Sequence, residues 1–232
     1  MNSAENNADI AVLIPAFNES GKIADVIEGV MEQGVSAGNI IVVDDGSSDS
    51  TAETASAKGV KVIRHRSNRG KGAALSSGFR EAASRPDLSA VITIDADGQH
   101  NPAFIPEFIN KFRETRSDII IGSRMHDIEG MPLIRKFTNR TTSSVISRLS
   151  GNDIRDSQSG YRLIGMKVLK RFHEMDSSHY DAESEILIRA GRAGFIISEI
   201  PIDTIYRDET SSINPFTDTL RFISLVFRSV FW

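Results

Sequence analysis

The sequence predicts an α/β fold built on a mostly parallel sheet with helices on both faces. Three observations carry that prediction. Short apolar runs alternate strictly with helix-like stretches over the first 123 residues. The runs are continuous rather than alternately polar, as in strands buried on both faces. Clusters of Asp, Gly, Ser and Asn follow one run after another, at the carboxyl ends where open α/β sheets bind ligands.

In chain order, a polar start over residues 1–8 reads as disordered, and Ile10–Ile14 is the first strand, closed by Pro15. A helix is expected from about Gly21 to Gln33, then a strand at Ile40–Val43. Ser50-Thr-Ala-Glu53 reads as a capping box that opens the second helix. Val60–Ile63 is the third strand and Lys71–Ala83 an alanine-rich helix. Ala90–Ile94 is the fourth strand, and Asn101-Pro102 forms an N-cap and first-turn pair for a helix to about Arg116. Ile119–Ile121 is the fifth strand. Beyond it the order is less regular: an amphipathic basic helix over Leu133–Leu149, a short strand at Tyr161–Ile164, a helix over Ala182–Ala193 and a strand over Phe195–Ile202. With no repeats and no low-complexity linker, residues 1–210 read as one domain, in which 124–160 form a basic loop and helix. Residues 211–232 form an apolar C-terminal helix.

Composition narrows the function. The 232 residues are 40% hydrophobic and carry a formal net charge of −4, which gives no electrostatic case for nucleic acid. Locally the balance reverses. Lys61 to Arg80 holds six basic and no acidic residues, and Arg124 to Arg171 holds ten basic against four acidic, which suggests two places that receive anions. The absence of cysteine removes disulfides, thiolate metal sites and thiol nucleophiles, and fits a reducing cytoplasm. MNSAENNADI lacks the basic and apolar regions of a signal peptide, and no run reaches the roughly 20 apolar residues of a membrane span. TLRFISLVFRSVFW suits a membrane interface, a cap on the domain, or packing against a second copy of the chain.

The strand ends carry the chemistry. Strand one ends in Pro15-Ala-Phe-Asn18-Glu19, strand two in Asp44-Asp45-Gly46-Ser47, and strand four in Asp95-Ala96-Asp97. Strand three leads into Arg64 to Gly72. Asn68-Arg-Gly70-Lys71-Gly72 lacks the G-x-x-x-x-G-K-[ST] spacing, and no glycine turn follows strand one, so neither a P-loop enzyme nor a dehydrogenase is expected. In an extended segment residues i and i+2 point the same way, so Asp95 and Asp97 can converge on one cation. Asp oxygens suit Mg²⁺ or Mn²⁺, ions usually shared with substrate phosphates. The alternative for the pair is a helix cap and a solvated turn.

VLIPAFNES, IIVVDDGSSDST, NRGKGAALSSGF, TIDADGQHNP, DIIIGSR, DSQSGYRLI and ESEILIRAGRAGFIISEIPI occur in that order from about Ala11 to Arg207. This set resembles the family 2 glycosyltransferases of GT-A fold, especially the branch of dolichyl-phosphate mannose synthase and the polyprenyl-phosphate glycosyltransferases. The resemblance implies that Pro15, Ala16, Phe17 and Glu19 line a nucleotide pocket, that Asp44 or Asp45 beside Gly46 holds the base, and that Lys71 joins the donor contacts. It implies that Asp95, Ala96 and Asp97 form the D-x-D element at the ribose and diphosphate. Asp97 and Gln99, beside Asp95, would be the ligands of Mg²⁺ or Mn²⁺. Arg124 would sit near the donor diphosphate or an acceptor phosphate, and Arg135 would close over the site.

The expected reaction is an inverting transfer of a hexosyl group from a UDP- or GDP-sugar. A polyprenyl or dolichyl phosphate, met at the cytoplasmic face of a membrane, is the favoured acceptor. It is already anionic and needs only positive charge to place it, as the basic excess over 124–171 would provide. A glycan hydroxyl is the alternative and would need a base, for which Asp156 is the candidate. A sugar-phosphate nucleotidyltransferase would want a Gly-rich basic loop after strand one, where P-A-F-N-E stands. A non-catalytic nucleotide-sugar-binding protein fits poorly with an intact acidic pair.

Overall fold

The structure is a computed structural model of the chain, and it describes residues 7–125, 133–172, 182–203 and 215–229, without the side chains of 133–135 and 215–221. Seven strands form one sheet: β1 (Ile10–Ala16), β2 (Ile40–Asp44), β3 (Lys61–Arg64), β4 (Ala90–Thr93), β5 (Ile119–Ser123), β6 (Arg162–Gly165) and β7 (Ile197–Pro201). Among the described residues, eight α-helices accompany them: α1 (Ile23–Glu32), α2 (Thr51–Ala57), α3 (Lys71–Ala83), α4 (Ile105–Glu114), α5 (Leu133–Ser150), α6 (Met166–Phe172), α7 (Ala182–Arg192) and α8 (Pro215–Ser229).

The strand order is β3-β2-β1-β4-β6-β5-β7. The pairs β1·β2, β1·β4, β2·β3 and β5·β7 are parallel, whereas β6 runs antiparallel to both of its neighbours, β4 and β5. The strands of the first 123 residues, β1 to β5, all run in one direction, and the sheet is mostly parallel as the sequence predicts. β5 points the same way as β1 and β4, but a later strand separates it from β4. Chain order alone could not show an insertion that arrives some forty residues downstream. β1 is flanked by β2 on one side and β4 on the other, so the chain reverses its direction of winding there, and the crevice beyond the carboxyl ends of these strands opens at that point.

Alternation along β1 divides the core in two. Ile10, Val12 and Ile14 pack on one face with Ile23, Ile27 and Val30 of α1 and Ile105, Phe108 and Ile109 of α4. Ala11 and Leu13 face the other layer, with Ala74, Leu75 and Phe79 of α3, Ile186–Ile188 of α7 and Leu225 of α8. Pro15 does not close β1, which runs on to Ala16. Asp45 N–H donates to Ala16 O and Ile94 N–H donates to Leu13 O, so even residues bond toward β2 and odd ones toward β4. The N–H that Pro15 lacks thus falls on the β4 side, beyond Thr93, the last paired residue there.

Two further expectations change. The Ser50 side chain makes no cap; Asp49 Oδ1 accepts from Thr51 N–H at 3.0 Å instead, and Glu53 is drawn outward to Arg64 at 2.8 Å. The helix after Asn101-Pro102 starts as a single 3₁₀ turn, capped by Asn101 Oδ1 accepting from Ala103 N–H at 3.0 Å, and ends at Glu114. No described helix is long and apolar enough to cross a membrane.

Candidate active site

The loops after β1 and β2 are locked together. Asn18, at φ 56°, occupies the left-handed region that Asn tolerates better than other residues with a Cβ. From there its N–H donates to Ser47 Oγ at 2.9 Å, and its Oδ1 accepts from Ser48 N–H at 2.9 Å. Glu19 N–H donates to Thr51 Oγ1 at 2.8 Å and Ser20 N–H to Asp49 Oδ2 at 3.1 Å. Burial alone would raise the Asp49 carboxyl, but the hydrogen bonds from Thr51 and Ser20 hold it down at about 2. Pro15 and Ala16 are buried, while Phe17 stands 43% exposed at the rim.

The two β2 carboxylates have different duties. Asp45 accepts from Arg69 N–H with both oxygens, at 3.1 and 3.0 Å, and from Gly70 N–H at 2.7 Å. His65 Nδ1 lies 2.6 Å from Asp45 Oδ1, and its Nε2 lies 2.8 Å from Ser77 Oγ on α3. Asp45 thereby shapes the loop that leads into Lys71. Asp44 is fully buried; its Oδ1 accepts from Ser47 N–H at 3.2 Å, and its Oδ2, 3.3 Å from Arg64 Nε, has no hydrogen bond. Gly46, at φ 76°, lets the two loops touch, because a Cβ there would lie 2.5 Å from the Ser67 carbonyl carbon.

At the end of β4, Asp95 meets Lys71. The Lys71 ammonium is 2.6 Å from Asp95 Oδ1 and 3.1 Å from Glu183 Oε1 of α7. Burial would raise the Asp95 carboxyl, yet Lys71, with help from His100 and Arg124, holds it down at about 2. Burial likewise works against the Lys71 ammonium, and Asp95 and Glu183 outweigh it, keeping the lysine charged well above its ordinary range. Gly160, just before β6, floors this cluster: a Cβ would lie 2.7 Å from Lys71 Nζ and 2.9 Å from Asp95 Oδ2.

Ala96 and Asp97 form a turn, so strand alternation is not what brings the two acids together. Asp97 Oδ1 accepts from Gln99 N–H at 2.9 Å. Burial, and then the negative charge of Asp95, push the Asp97 carboxyl upward. The Gln99 side chain is half-buried and has no partner among the described residues. His100 is buried against the Tyr161 ring, centroids 5.2 Å apart; its Nδ1 accepts from Asp95 N–H at 3.4 Å, and burial holds its pKa below the usual histidine range.

A second network lies at the end of β5. Asp156 is fully buried, and its Oδ2 accepts from Arg124 N–H at 3.0 Å and from Arg124 Nε at 2.8 Å. Its Oδ1 accepts from Arg124 Nη2 at 2.9 Å and from Asn139 Nδ2 of α5 at 2.8 Å. Four donors fill the four lone-pair positions of a carboxylate. Burial would raise this carboxyl, but the Arg124 guanidinium holds it below the ordinary range. Glu199 of β7 accepts from the Arg155 and Asp156 N–H groups at 2.8 and 3.0 Å, fixing the turn from behind. Arg162, 1% exposed, donates to the carbonyls of Ser157, Ser159 and Glu183, tying that turn to the start of α7.

The structure therefore gathers Lys71, Asp95, Asp97, Gln99 and Arg124 around the carboxyl ends of β4 and β5, with the residues of β1 and β2 beside them. The side chain of Arg135 lies outside the described residues. Glu183, Asn139, Arg162, His65 and Gly160 emerge only from the structure. Glu183 reads in sequence as an ordinary acid in a helix's first turn, where the helix dipole favours it, and the lysine it meets lies far back in the chain.

Residues 11–173 match the family described as Glycosyl transferase family 2. Among relatives, the uncharacterized protein MJ1222 of Methanocaldococcus jannaschii is 35% identical over 97% of this chain and 94% of its own length. The UDP-N-acetylglucosamine–dolichyl-phosphate N-acetylglucosaminyltransferase of Methanococcus voltae is 34% identical over 86% of each chain. The crystal structure of glucosyl-3-phosphoglycerate synthase from Mycobacterium tuberculosis with phosphoglyceric acid superimposes with a TM-score of 0.74, at 21% identity, over 98% of this chain and 81% of that one. The same synthase with Mn²⁺, UDP and glucosyl-3-phosphoglycerate gives a TM-score of 0.69 at 20% identity, over 98% and 80%.

Proposed function

The chain belongs to glycosyltransferase family 2, and from that premise we propose that it moves a hexosyl group, with inversion, from a nucleoside diphosphate sugar to a lipid phosphate. The observation that carries the choice of acceptor is Arg124. It is clamped by a buried carboxylate and lies close enough to Asp95 to help lower its pKa. A cation so fixed can orient an acceptor that is already anionic and has no proton to lose. The hydroxyl-acceptor alternative asks Asp156 to take a proton, yet all four of its acceptor positions are filled and none of it is exposed. The dolichyl-phosphate acceptor in the name of the Methanococcus voltae relative supports the same reading.

On the donor side, Asp45 is committed to its loop, which leaves Asp44, buried beside Arg64 Nε at 3.3 Å with no hydrogen bond to its Oδ2, as the candidate to meet the base. Pro15, Ala16, Phe17 and Glu19 border that pocket, and Lys71 keeps Asp95 ionised toward the ribose and diphosphate. Asp97 and Gln99 suit Mg²⁺ or Mn²⁺: one is a half-buried carboxylate that burial and the neighbouring Asp95 charge push upward, the other an amide with no partner among the described residues. Among the described residues no three acidic or histidine side chains form a complete cage, so the remaining ligands would be donor oxygens and water. The Mn²⁺ and UDP named in the Mycobacterium tuberculosis synthase structure support this assignment. When bound, the ion supplies Lewis-acid stabilisation of the charge developing on the departing diphosphate. The protein works from the cytoplasmic surface of a membrane.

The test is a screen of UDP- and GDP-sugars with Mn²⁺ or Mg²⁺, following nucleotide release with and without polyprenyl phosphate. Release that depends on the polyprenyl phosphate is expected. No release with any donor, or equal release with and without the lipid, overturns the assignment.

A further inference from the structure

The Arg124–Asp156 network shares a wall with a surface groove of about 370 Å³. Met125, Ser143 and Arg155 line both sides of that wall: Met125 follows Arg124, Arg155 precedes Asp156, and Ser143 Oγ donates to Asn139 Oδ1 at 2.9 Å. Arg140, Ser144 and Ser147 of α5 line the groove together with Asp153 and Arg155 of the turn that follows α5. Ser147 is spent, donating to Ile154 O and accepting from Ile154 N–H, both at 2.9 Å. The exposed side chains of Arg140, Ser144 and Asp153 have no partner among the described residues, and the exposed Arg155 guanidinium, which has the Glu199 charge nearby, lines the same space. Two arginines and an aspartate that leave one another unpaired hold open a gap of small-ligand size, at the lower end of the roughly 300–1,000 Å³ typical of such sites.

The free groups define what fits. Two guanidiniums offer forked donors matched to a phosphate or similar oxyanion. A carboxylate beside them repels that oxyanion but accepts from hydroxyls, and the Ser144 hydroxyl both donates and accepts. We propose that the groove binds a phosphate ester of a hydroxylated alcohol, with the phosphate between Arg140 and Arg155 and the alcohol hydroxyls on Asp153 and Ser144. Such an ester occurs free in solution and as the headgroup of a membrane lipid. The site adjoins the Arg124–Asp156 network, and its binding of the ester does not depend on the reaction assigned above.

Calorimetric titration with glycerol phosphate and with inorganic phosphate tests the soluble form. Co-sedimentation with phosphatidylglycerol vesicles, against phosphatidylcholine vesicles as reference, tests the lipid form. Arg140→Ala and Arg155→Ala are each expected to weaken binding about tenfold, the loss of one charge-assisted hydrogen-bonded contact. Arg148→Ala, an exposed α5 arginine that does not line the groove, should leave it unchanged. Asp153→Asn should weaken glycerol phosphate while leaving inorganic phosphate as tight or tighter. Binding of glycerol phosphate assigns the soluble source; binding to phosphatidylglycerol vesicles alone, lost with the same two substitutions, assigns the lipid. No binding in either arm, or equal losses in Arg140→Ala and Arg148→Ala, overturns the site. Because these side chains are exposed, each variant should keep the thermal stability of the parent.

Discussion

The Lys71 ammonium, at the start of α3, lies 2.6 Å from Asp95 Oδ1, at the end of β4, and also touches Glu183 of α7. One cation thus neutralises two acids from different layers of the fold. Lys71→Met leaves two carboxylates facing each other in a mostly buried site. It should destabilise the protein by about 3 kcal/mol, in the range for breaking such a pair. The sign of the pH effect follows from the depressed Asp95 carboxyl. In the parent, Asp95 stays ionised down to about pH 2. Without Lys71 its carboxyl rises, so the acid limb of turnover should move to higher pH, as a pH–rate profile of the variant would show.

Gly160 makes room for that cluster. In Gly160→Ala the new Cβ would press on Lys71 Nζ at 2.7 Å and Asp95 Oδ2 at 2.9 Å. Overpacking of this kind costs about 1–3 kcal/mol. Denaturant unfolding should register that loss, and nucleotide release should fall by more than the unfolded fraction explains, because the ion cluster itself is displaced.

Asp97→Asn removes the carboxylate that burial and the Asp95 charge push upward. Mn²⁺ binding, followed by the paramagnetic signal of the free ion in the presence of UDP or GDP, should weaken at least about tenfold, the equivalent of about 1.4 kcal/mol. Undiminished Mn²⁺ binding would transfer the metal to other ligands.

The fold was readable where local signals and long-range pairing agree. The runs at Ile10, Ile40, Ala90 and Ile119 are continuously apolar and separated by helix-like stretches, the pattern of buried strands, and each became one. The sequence does not say that β6 slips between β4 and β5, because strand adjacency is settled by pairing partners far apart in the chain. The same limit applies to the site. Asp95, Asp97 and Arg124 stand out because charge at a strand end is costly without a purpose. Arg162 and Asn139 do not, since a buried arginine bonded to carbonyls and an asparagine facing a carboxylate look like ordinary polar residues until the fold supplies their partners. The capping box at Ser50 misled for a local reason: Asp49, one residue earlier, offers an ionised acceptor to the same helix start.

Asp156→Asn separates two roles. Holding Arg124 in place predicts a rise in acceptor KM with a smaller drop in kcat, together with a stability loss of about 3 kcal/mol from a guanidinium that loses its buried carboxylate. A general base would instead lose kcat with acceptor KM unchanged. Initial rates at varied acceptor concentration, alongside thermal unfolding, distinguish the two, and the filled lone pairs of Asp156 favour the first.

Asp49 joins the loops after β1 and β2, and its carboxyl is held at about 2 in the folded chain against an ordinary 3.8. A carboxyl that is more acidic folded than unfolded contributes stability that is fully present above its unfolded value and is lost as the pH falls through the folded one. The parent should therefore be more stable than Asp49→Asn at neutral pH, and the gap should close between about pH 4 and 2. The side chain lies near the surface, so the gap is expected to be modest and to shrink with added salt. Melting temperatures of both proteins across pH 7 to 2 measure it. A gap that stays constant over that range would mean that Asp49 acts through hydrogen-bond geometry alone, without its charge.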